Sequence, residues 1–154
     1  MAVAVDTNVL IRSQGKPFGE TVFITPSISE ELKSKEAKRN LEQTDYRVVE
    51  PSEKALEKVK ELSARINSPT SETDEELVAL ALDRDLKLVS DDKPVQNLAL
   101  HLDLEFEAFF DSGVEKRMCW KRLCSNCSSL VSEGSCARCG SDSIRLKQVR
   151  CSSK

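Results

Sequence analysis

The sequence predicts an α/β fold with a parallel sheet, followed by a small C-terminal domain held together by a metal. Short apolar segments of strand type alternate with stretches of helical periodicity, which is typical of βαβ units with right-handed crossovers. Charge also divides the chain: residues 113–154 hold nine basic and three acidic side chains, whereas residues 1–112 hold fourteen and twenty-three. All six cysteines lie in the basic part. We therefore predict two domains, residues 1–111 and 112–154.

Five segments are predicted to form strands. The first is apolar throughout, which suits a strand covered by helices on both faces. The last is expected at the edge of the sheet. In chain order the predicted strands are Ala2–Val5, Thr21–Thr25, Tyr46–Val49, Leu86–Val89 and Leu104–Phe106.

Helices are predicted between and after these strands. Residues with capping side chains or a fixed backbone mark where they begin. The third helix repeats its apolar residues at the helical period, and the fourth is apolar enough to be buried. Their predicted starts lie at Val9, at Ser27 or Ser29, at Pro51, at Asp74 and at Pro94.

Composition excludes several classes of protein. With five glycines and five prolines among 154 residues, the chain is neither collagenous nor of low complexity. It has no run of about 18 apolar residues, so we expect no membrane partner. The N-terminus lacks the basic region of a secretion signal, and we expect a cytoplasmic protein. In that reducing compartment, metal binding is the favoured role for cysteines over disulfides.

Acidic residues follow the predicted strands where ligand sites form in α/β sheets. Asp6 follows the first strand, and Asp91 and Asp92 follow the fourth. Glu31 and Asp74 lie early in helices. If the first and fourth strands are neighbours, these carboxylates converge, and they repel one another unless a cation binds. The alternative for each acid taken alone is a turn residue or a helix-terminal charge.

Converging carboxylates point to metal-dependent hydrolysis of a phosphodiester. Hard oxygen ligands favour Mg²⁺ or Mn²⁺, and such an ion can orient water and neutralise charge on a phosphate. The sequence offers no competing nucleophilic arrangement, because its only histidine is His101 and it has no glycine-rich phosphate loop.

Four cysteines in two pairs predict a structural zinc site. Each pair has two residues between its members, and eight residues separate the pairs. Four thiolates close a tetrahedral Zn²⁺ site, whose binding energy would fold a domain too short for a large core. A redox or iron–sulfur role is the alternative. Cys119 and Cys151 lie outside the pairs and are each expected to be a small buried or unpaired thiol. The predicted ligands are Cys124, Cys127, Cys136 and Cys139.

Basic residues around this zinc site predict contact with RNA. Their charges can neutralise phosphates, and an aromatic ring among them can stack on a base. The alternatives are a solvated surface and a tryptophan that packs on the acidic domain. The residues concerned are Lys116, Arg117, Trp120, Lys121, Arg122, Arg145 and Lys147.

The acidic segments resemble the motifs of the PIN-domain nucleases. Val5–Ile11 resembles the opening motif of that family, with Asp6 as its acid. Ser29–Leu32 resembles the second motif, with Glu31 at the acidic position. Ser71–Asp74 and Leu88–Asp92 resemble the third and fourth. Together these motifs cover residues 1 to about 110 in the family's order.

With its four-cysteine tail, the whole chain resembles the archaeal Nob endonucleases. The resemblance implies a PIN-like parallel five-stranded sheet, flanked by helices, and a zinc ribbon. It implies a Mg²⁺- or Mn²⁺-dependent endoribonuclease that cleaves precursor small-subunit rRNA at its mature 3′ end. The implied partners are that rRNA and the pre-ribosomal small subunit, with other ribosome assembly factors as further candidates.

The same resemblance implies which acids are catalytic. Asp6, Glu31, Asp74 and Asp92 take the family's acidic positions, and Asp91 is a rival or helper of Asp92. Asp6, Asp74 and Asp92 are the expected ligands of Mg²⁺ or Mn²⁺. The short linker after Phe110 leaves two positions open for the ribbon, beside the catalytic face or at its edge.

Two other functions fit parts of the sequence. One is a VapC-like toxin that cleaves tRNA or mRNA, although that class is usually a bare PIN domain. The other is a non-catalytic adaptor that binds RNA or the ribosome, which the full set of acids argues against.

Overall fold

The nuclease-like part of the chain is built on one parallel sheet. The computed structural model describes residues 2–12, 21–33, 46–110 and 113–151. The sheet has the order β3-β2-β1-β4-β5, with every neighbouring pair parallel, as the sequence predicts. Because the chain moves from β1 to one side and later returns to the other, β1 and β4 become neighbours. The strands are β1 (Ala2–Val5), β2 (Thr21–Ile24), β3 (Tyr46–Val48), β4 (Lys87–Val89) and β5 (Phe106–Glu107).

Five helices within the described residues flank this sheet and build its core. Residues Leu77–Ala81 of the fourth helix are all buried, and so are Val3–Val5 of β1, as their apolar composition predicts. No helix among the described residues has the length and apolar character needed to cross a membrane. The helices are α1 (Thr7–Arg12), α2 (Pro26–Lys33), α3 (Glu53–Arg65), α4 (Glu72–Arg84) and α5 (Lys93–His101).

Helix starts differ from their predicted positions by a few residues. The prediction that Ser27 or Ser29 caps α2 is wrong, because the helix already begins at Pro26. The cap is Thr25, whose buried hydroxyl accepts a hydrogen bond from the amide of Ile28 at 3.3 Å. A proline in the first helical turn leaves no amide unsatisfied, so the preceding threonine is a favourable cap.

The C-terminal domain is a two-stranded antiparallel ribbon. Strand β6 (Met118–Cys124) pairs with β7 (Ile144–Arg150), with Lys121 directly opposite Lys147. Its own small core consists of Cys124, Val131 and Cys136. The predicted domain boundary at residues 111 and 112 lies outside the described residues.

The ribbon packs on the first domain through the start of β6. The side chain of Asn97 donates to the carbonyl of Met118 at 2.8 Å and accepts from its amide at 2.7 Å. The amide of Trp120 donates to the carbonyl of Ile66 at 2.9 Å, and the carbonyl of Trp120 accepts from Asn67 at 3.0 Å. The ribbon therefore sits against α5 and the loop that follows α3.

A disulfide closes the open end of the ribbon. Cys119 and Cys151 are bonded to each other, so the prediction of two unpaired thiols is wrong. The two cysteines are 32 residues apart in the chain, and they come together only because β7 pairs with β6. His101 lies next to the pair, with its Nε2 3.6 Å from the Cys151 sulfur and 3.1 Å from the Met118 carbonyl oxygen.

We expect Asn97→Ala to loosen the ribbon from the first domain. The substitution removes both partners of the Met118 peptide group and should weaken docking by about 2–4 kcal/mol. Trypsin cleavage after Lys116 or Arg117 should then be faster than in the wild type. Lys58→Ala, on the exposed surface of α3, is the control, and an unchanged cleavage rate in Asn97→Ala would contradict the docking role.

Candidate functional site

Asp6 occupies the point where the central strand of the sheet ends. Its amide donates to the carbonyl of Val89 at 3.0 Å, which continues the pairing between β1 and β4. Its carboxylate accepts a 2.9 Å hydrogen bond from the hydroxyl of Ser90, and the residue is 6% exposed. The strand order therefore places this acid at the switch point of the sheet, where α/β proteins bind ligands.

Ser90 connects Asp6 to Asp92, a role that the sequence reasoning missed. Its hydroxyl donates to Asp6 and accepts from the amide of Asp92 at 3.1 Å. Gln96 donates to the Ser90 carbonyl at 2.6 Å and fixes this turn. The signal available in the sequence was a small polar residue directly after the fourth strand.

Asp74 reaches the same place from the start of α4. Ser71 caps this helix: its hydroxyl accepts from the Asp74 amide, and the Asp74 carboxylate accepts from the Ser71 amide, each at 3.2 Å. This reciprocal capping box holds the carboxylate at the helix end. The charge of Asp74 raises the pKa values of both Asp6 and Asp92, so the three carboxylates share one electrostatic site.

Burial and mutual repulsion perturb the acids of this cluster. Burial raises the pKa of Asp6, while the Ser90 hydrogen bond lowers it and the charge of Asp74 raises it. Burial, and then the charges of Asp74 and Asp6, raise the pKa of Asp92 to about 6. These carboxylates resist ionisation side by side, and a divalent cation would remove that penalty.

The three aspartates do not form a compact ligand set among the described residues. Among the described residues, the groups whose ligand atoms all lie within 4.8 Å of one another are the four paired cysteines and the set His101, Cys119 and Cys151. The carboxylate oxygens of Asp6, Asp74 and Asp92 therefore do not all lie within 4.8 Å of one another. Mg²⁺ is usually bound through one or two carboxylates with several waters, so the donor set suits it.

The neighbouring residues Asp91 and Asp92 make different contacts. The carboxylate of Asp91 accepts hydrogen bonds from the amides of Phe109 and Phe110, at 2.8 and 2.9 Å, and lies 3.9 Å from Arg12. Asp92 begins α5 without using its side chain as a cap. The Asp91 carboxylate therefore binds the loop after β5, whereas the Asp92 carboxylate belongs to the acidic cluster.

Glu31 is linked to the site through Thr7. The hydroxyl of Thr7, directly after Asp6, donates to the carboxylate of Glu31 at 3.0 Å. Glu31 is exposed, whereas Thr7 is buried. The structure therefore places Glu31 at the rim of the cluster, on the side of α2.

The four paired cysteines form a compact tetrathiol group, as the sequence predicts. The sulfur atoms of Cys124 and Cys139 are 3.4 Å apart, and those of Cys127 and Cys136 are 3.6 Å apart. A tetrahedral zinc with bonds of about 2.3 Å has sulfur–sulfur edges of about 3.8 Å. The thiols are therefore close to the geometry that zinc requires.

Local hydrogen bonds favour the thiolate form of Cys127. The Ser129 hydroxyl, 3.3 Å from the Cys127 sulfur, and the Ser129 amide lower the pKa of Cys127 to about 6. Because thiolates are the ligand form, this favours metal binding at neutral pH. Each pair is followed by a left-handed residue, Ser128 with φ 62° and Gly140 with φ 75°. Gly140 adopts this conformation without steric cost because it has no Cβ atom.

The predicted RNA-binding residues lie on different sides of the ribbon. Lys121, Lys147 and Arg145 are exposed on one face, whereas Arg122 lies on the other and Arg117 binds Asp103 at 3.1 Å. Lys121 and Lys147 lie directly opposite each other, and two like charges in that position destabilise an antiparallel pair. A negatively charged partner bound on this face would relieve that repulsion. Lys116 is exposed in the linker.

Trp120 packs mainly on the first domain, which is one of the two alternatives that the sequence left open. It is 9% exposed and belongs to the core of that domain. The remaining exposed part of the side chain lines a cleft beside α5.

Comparisons with known proteins agree with this architecture. The family model for the PIN domain of ribonuclease matches residues 3–83. The endoribonuclease Nob1 of Pyrococcus abyssi is 34% identical over 129 residues, covering 77% of this chain and 80% of the relative. The endoribonuclease Nob1 of Archaeoglobus fulgidus is 27% identical over 144 residues, covering 89% and 86%. The ribonuclease VapC1 of Thermoplasma acidophilum is 33% identical over 86 residues, covering 54% and 44%.

Solved structures share the fold. VapBC2 of Rickettsia felis, bound to a promoter DNA fragment, has a TM-score of 0.50 at 15% identity, with 70% of this chain and 98% of that chain covered. A PilT N-terminus domain protein of Sulfolobus solfataricus has a TM-score of 0.50 at 14% identity, with 70% and 87% covered. At such identities the likeness concerns the fold alone.

We expect the acidic cluster to make stability depend on pH and on metal. Because folding raises the pKa of Asp92 to about 6, stability that is present below pH 4 is lost as the pH rises to about 6. Asp92→Asn should melt at a higher temperature than the wild type at pH 7.5 without added divalent ions. Mg²⁺ or Mn²⁺ should stabilise the wild type and act weakly on Asp92→Asn.

Melting temperatures from pH 4 to pH 8 test this expectation. Asp85→Asn removes an exposed carboxylate at a left-handed position that asparagine tolerates, and it should follow the wild type. A melting curve for Asp92→Asn that parallels the wild type across this range would contradict the repulsion.

We expect Cys127→Ser and Cys139→Ser to abolish zinc binding and to unfold the ribbon, because a structural zinc supplies the folding energy of so small a domain. The first domain should keep its own melting transition, since its core, apart from the contribution of Trp120, is built from residues outside the ribbon. Metal analysis and circular dichroism measure both effects, with Ser125→Ala as the control. One zinc per chain in both cysteine variants would refute the ligand assignment.

Proposed function

The chain belongs to the PIN-domain ribonucleases and, within them, to the archaeal Nob1 endoribonucleases, and from this premise we propose its substrate and cofactors. We propose that it cleaves precursor small-subunit rRNA at the mature 3′ end, with Mg²⁺ or Mn²⁺ in the acidic cluster and Zn²⁺ in the ribbon. The observation that carries the proposal is the convergence of Asp6, Asp74 and Asp92 at the switch point of the sheet.

The residues of this cluster have separable tasks in the proposal. Asp6, Asp74 and Asp92 hold the ion, and the ion supplies activation of water and neutralisation of phosphate charge. Ser90 holds the Asp6 carboxylate in place, and its position depends in turn on Gln96. Glu31, fixed by Thr7, lies at the rim and can hold a water on the side of α2.

The ribbon supports recognition of a structured RNA rather than catalysis. A zinc held by four thiolates has no open position for substrate. The exposed face that carries Lys121, Arg145 and Lys147 can bind phosphates, which would offset the repulsion between the opposed lysines. Because the ribbon is docked on the first domain, RNA bound there would lie at a fixed place relative to the acids.

A toxin of the VapC class is the second candidate function. It is favoured by the relationship of the first domain to VapC1, which spans about half of the chain. The docked ribbon argues against it, because the similarity to the Nob1 proteins extends over most of the chain. Growth arrest on expression, relieved by a small cognate antitoxin, would favour the toxin.

We expect Asp6→Asn to lower the rate of cleavage of a precursor rRNA 3′ segment at least about 100-fold, because the ion and its charge supply several kcal/mol of transition-state stabilisation. Asp92→Asn should be as defective, whereas Asp91→Asn should retain most activity at a temperature where it is folded. Asp85→Asn is the matched control. Products are mapped to the nucleotide with Mn²⁺, with Mg²⁺ and with neither.

Wild-type speed in Asp6→Asn would refute the catalytic role of the cluster. RNA binding without turnover under every metal condition would support the adaptor instead. Cleavage of tRNA or mRNA in preference to the rRNA segment would refute the proposed substrate and leave the nuclease.

A further inference from the structure

A cleft separates the ribbon from the first domain beside the acidic cluster. It has a volume of about 460 Å³, within the range of roughly 300–1,000 Å³ typical of pockets for compact ligands. Pro94, Val114, Met118 and Trp120 give it an apolar lining. Lys93 and Gln148 add an ammonium and an amide group. The cleft thus combines apolar surface with a few polar groups, as sites for planar ligands do.

Hydrogen bonds hold the walls of this cleft at a fixed distance. Asn97, on the α5 wall, binds both backbone groups of Met118 on the ribbon wall. The amide of Val114 donates to the side chain of Gln96 at 3.0 Å, which attaches the linker to the same helix. These contacts close the cleft from both domains without filling it, so the site is formed before any ligand arrives.

The rim of the cleft joins the two elements that carry the acids. Lys93 and Pro94 directly follow Asp92 at the start of α5. Pro69, on the opposite side, lies just before the cap of α4, the helix whose first turn contains Asp74. The cleft is therefore lined by residues of the two segments that carry Asp92 and Asp74.

We propose that this cleft binds one unpaired base of a single-stranded RNA, next to the phosphate that is cut. The inference rests on the proposed ribonuclease function and adds a subsite to it. The apolar walls accept the face of the base, and the Gln148 amide offers a donor and an acceptor to its edge. Lys93 and the exposed Lys116 place positive charge beside the cleft for the adjoining phosphates.

The charges favour RNA over a peptide as the occupant. An acidic peptide would match the charge of Lys93 and of a cation in the cluster, but its side chains offer no planar apolar ring joined to an anion. A nucleotide joins a planar apolar base to an anionic phosphate. The base can therefore occupy the cleft while the phosphate lies at the acidic cluster. The site selects an unpaired nucleotide, because a base held within a duplex stack cannot enter a cleft between two protein walls.

Trp120 provides a reporter that does not depend on cleavage. It is the only tryptophan in the chain, and it lines the cleft. Six-residue oligoribonucleotides of A, C and U are titrated into the full zinc-loaded chain without added Mg²⁺ or Mn²⁺. We expect saturable quenching of the Trp120 fluorescence. A hexamer of abasic residues should quench far less, with a dissociation constant raised about 5- to 100-fold for the lost base.

A matched pair of substitutions locates the binding. Gln148→Phe fills the cleft and should weaken hexamer binding by a similar factor of about 5 to 100, measured by anisotropy of a labelled hexamer. Leu146→Phe, on the same strand but in a neighbouring groove, should bind like the wild type. Zinc content and melting temperature confirm that both variants are folded.

Three results would overturn the subsite. These are equal binding of the abasic hexamer, wild-type affinity of Gln148→Phe, and binding of a proline-rich or acidic peptide that the hexamer does not displace. The outcome is distinguishable from that of the nuclease proposal. Quenching with no cleavage under any metal condition supports the subsite and refutes the activity. Cleavage without quenching supports the nuclease activity and refutes the subsite.

Discussion

The structure depends on keeping like charges together at one edge of a parallel sheet. Asp6 and Asp92 follow neighbouring strands, and the first turn of α4 adds the charge of Asp74, so burial and repulsion both oppose the ionisation of Asp6 and Asp92. The hydroxyl of Ser90 offsets part of that opposition through its hydrogen bond to Asp6. In the proposed function, a divalent cation would offset the rest. The same feature that destabilises the metal-free protein would then create its affinity for a hard ion and for the phosphates that such an ion attracts.

The second domain is a short basic segment that must be held in one position relative to the first domain. The ribbon buries little of its own apolar surface, so four thiols and a disulfide replace a core. Its attachment through Asn97 and Trp120 then orients it on α5, the helix that begins at Asp92. Placement of RNA and placement of the acids thus depend on one helix. This arrangement leaves between the domains a cleft that neither domain would form alone.

Much of the fold was predictable, because it is encoded over short distances in the chain. Short apolar segments that alternate with helical stretches predicted the α/β class, and two closely spaced cysteine pairs predicted the zinc group. Element ends were less accurate, as the cap of α2 at Thr25 demonstrates, since a proline moved the helix start. Among the candidate site residues, the spacing to the strand ends indicated Asp6 and the pair at 91 and 92. It could not say which member of that pair faces the cluster.

The sequence by itself determined the chemistry that is available: carboxylates after strands, four thiols at metal spacing, and a basic tail on an acidic body. The tertiary structure alone decided which of these groups meet. The hydrogen bond from Ser90 to Asp6 joins residues 84 positions apart, and the disulfide joins residues 32 apart. Such contacts follow from strand order and domain docking, which arise from the summed packing of the whole chain. No local pattern encodes them, because each partner is an ordinary residue in its own segment.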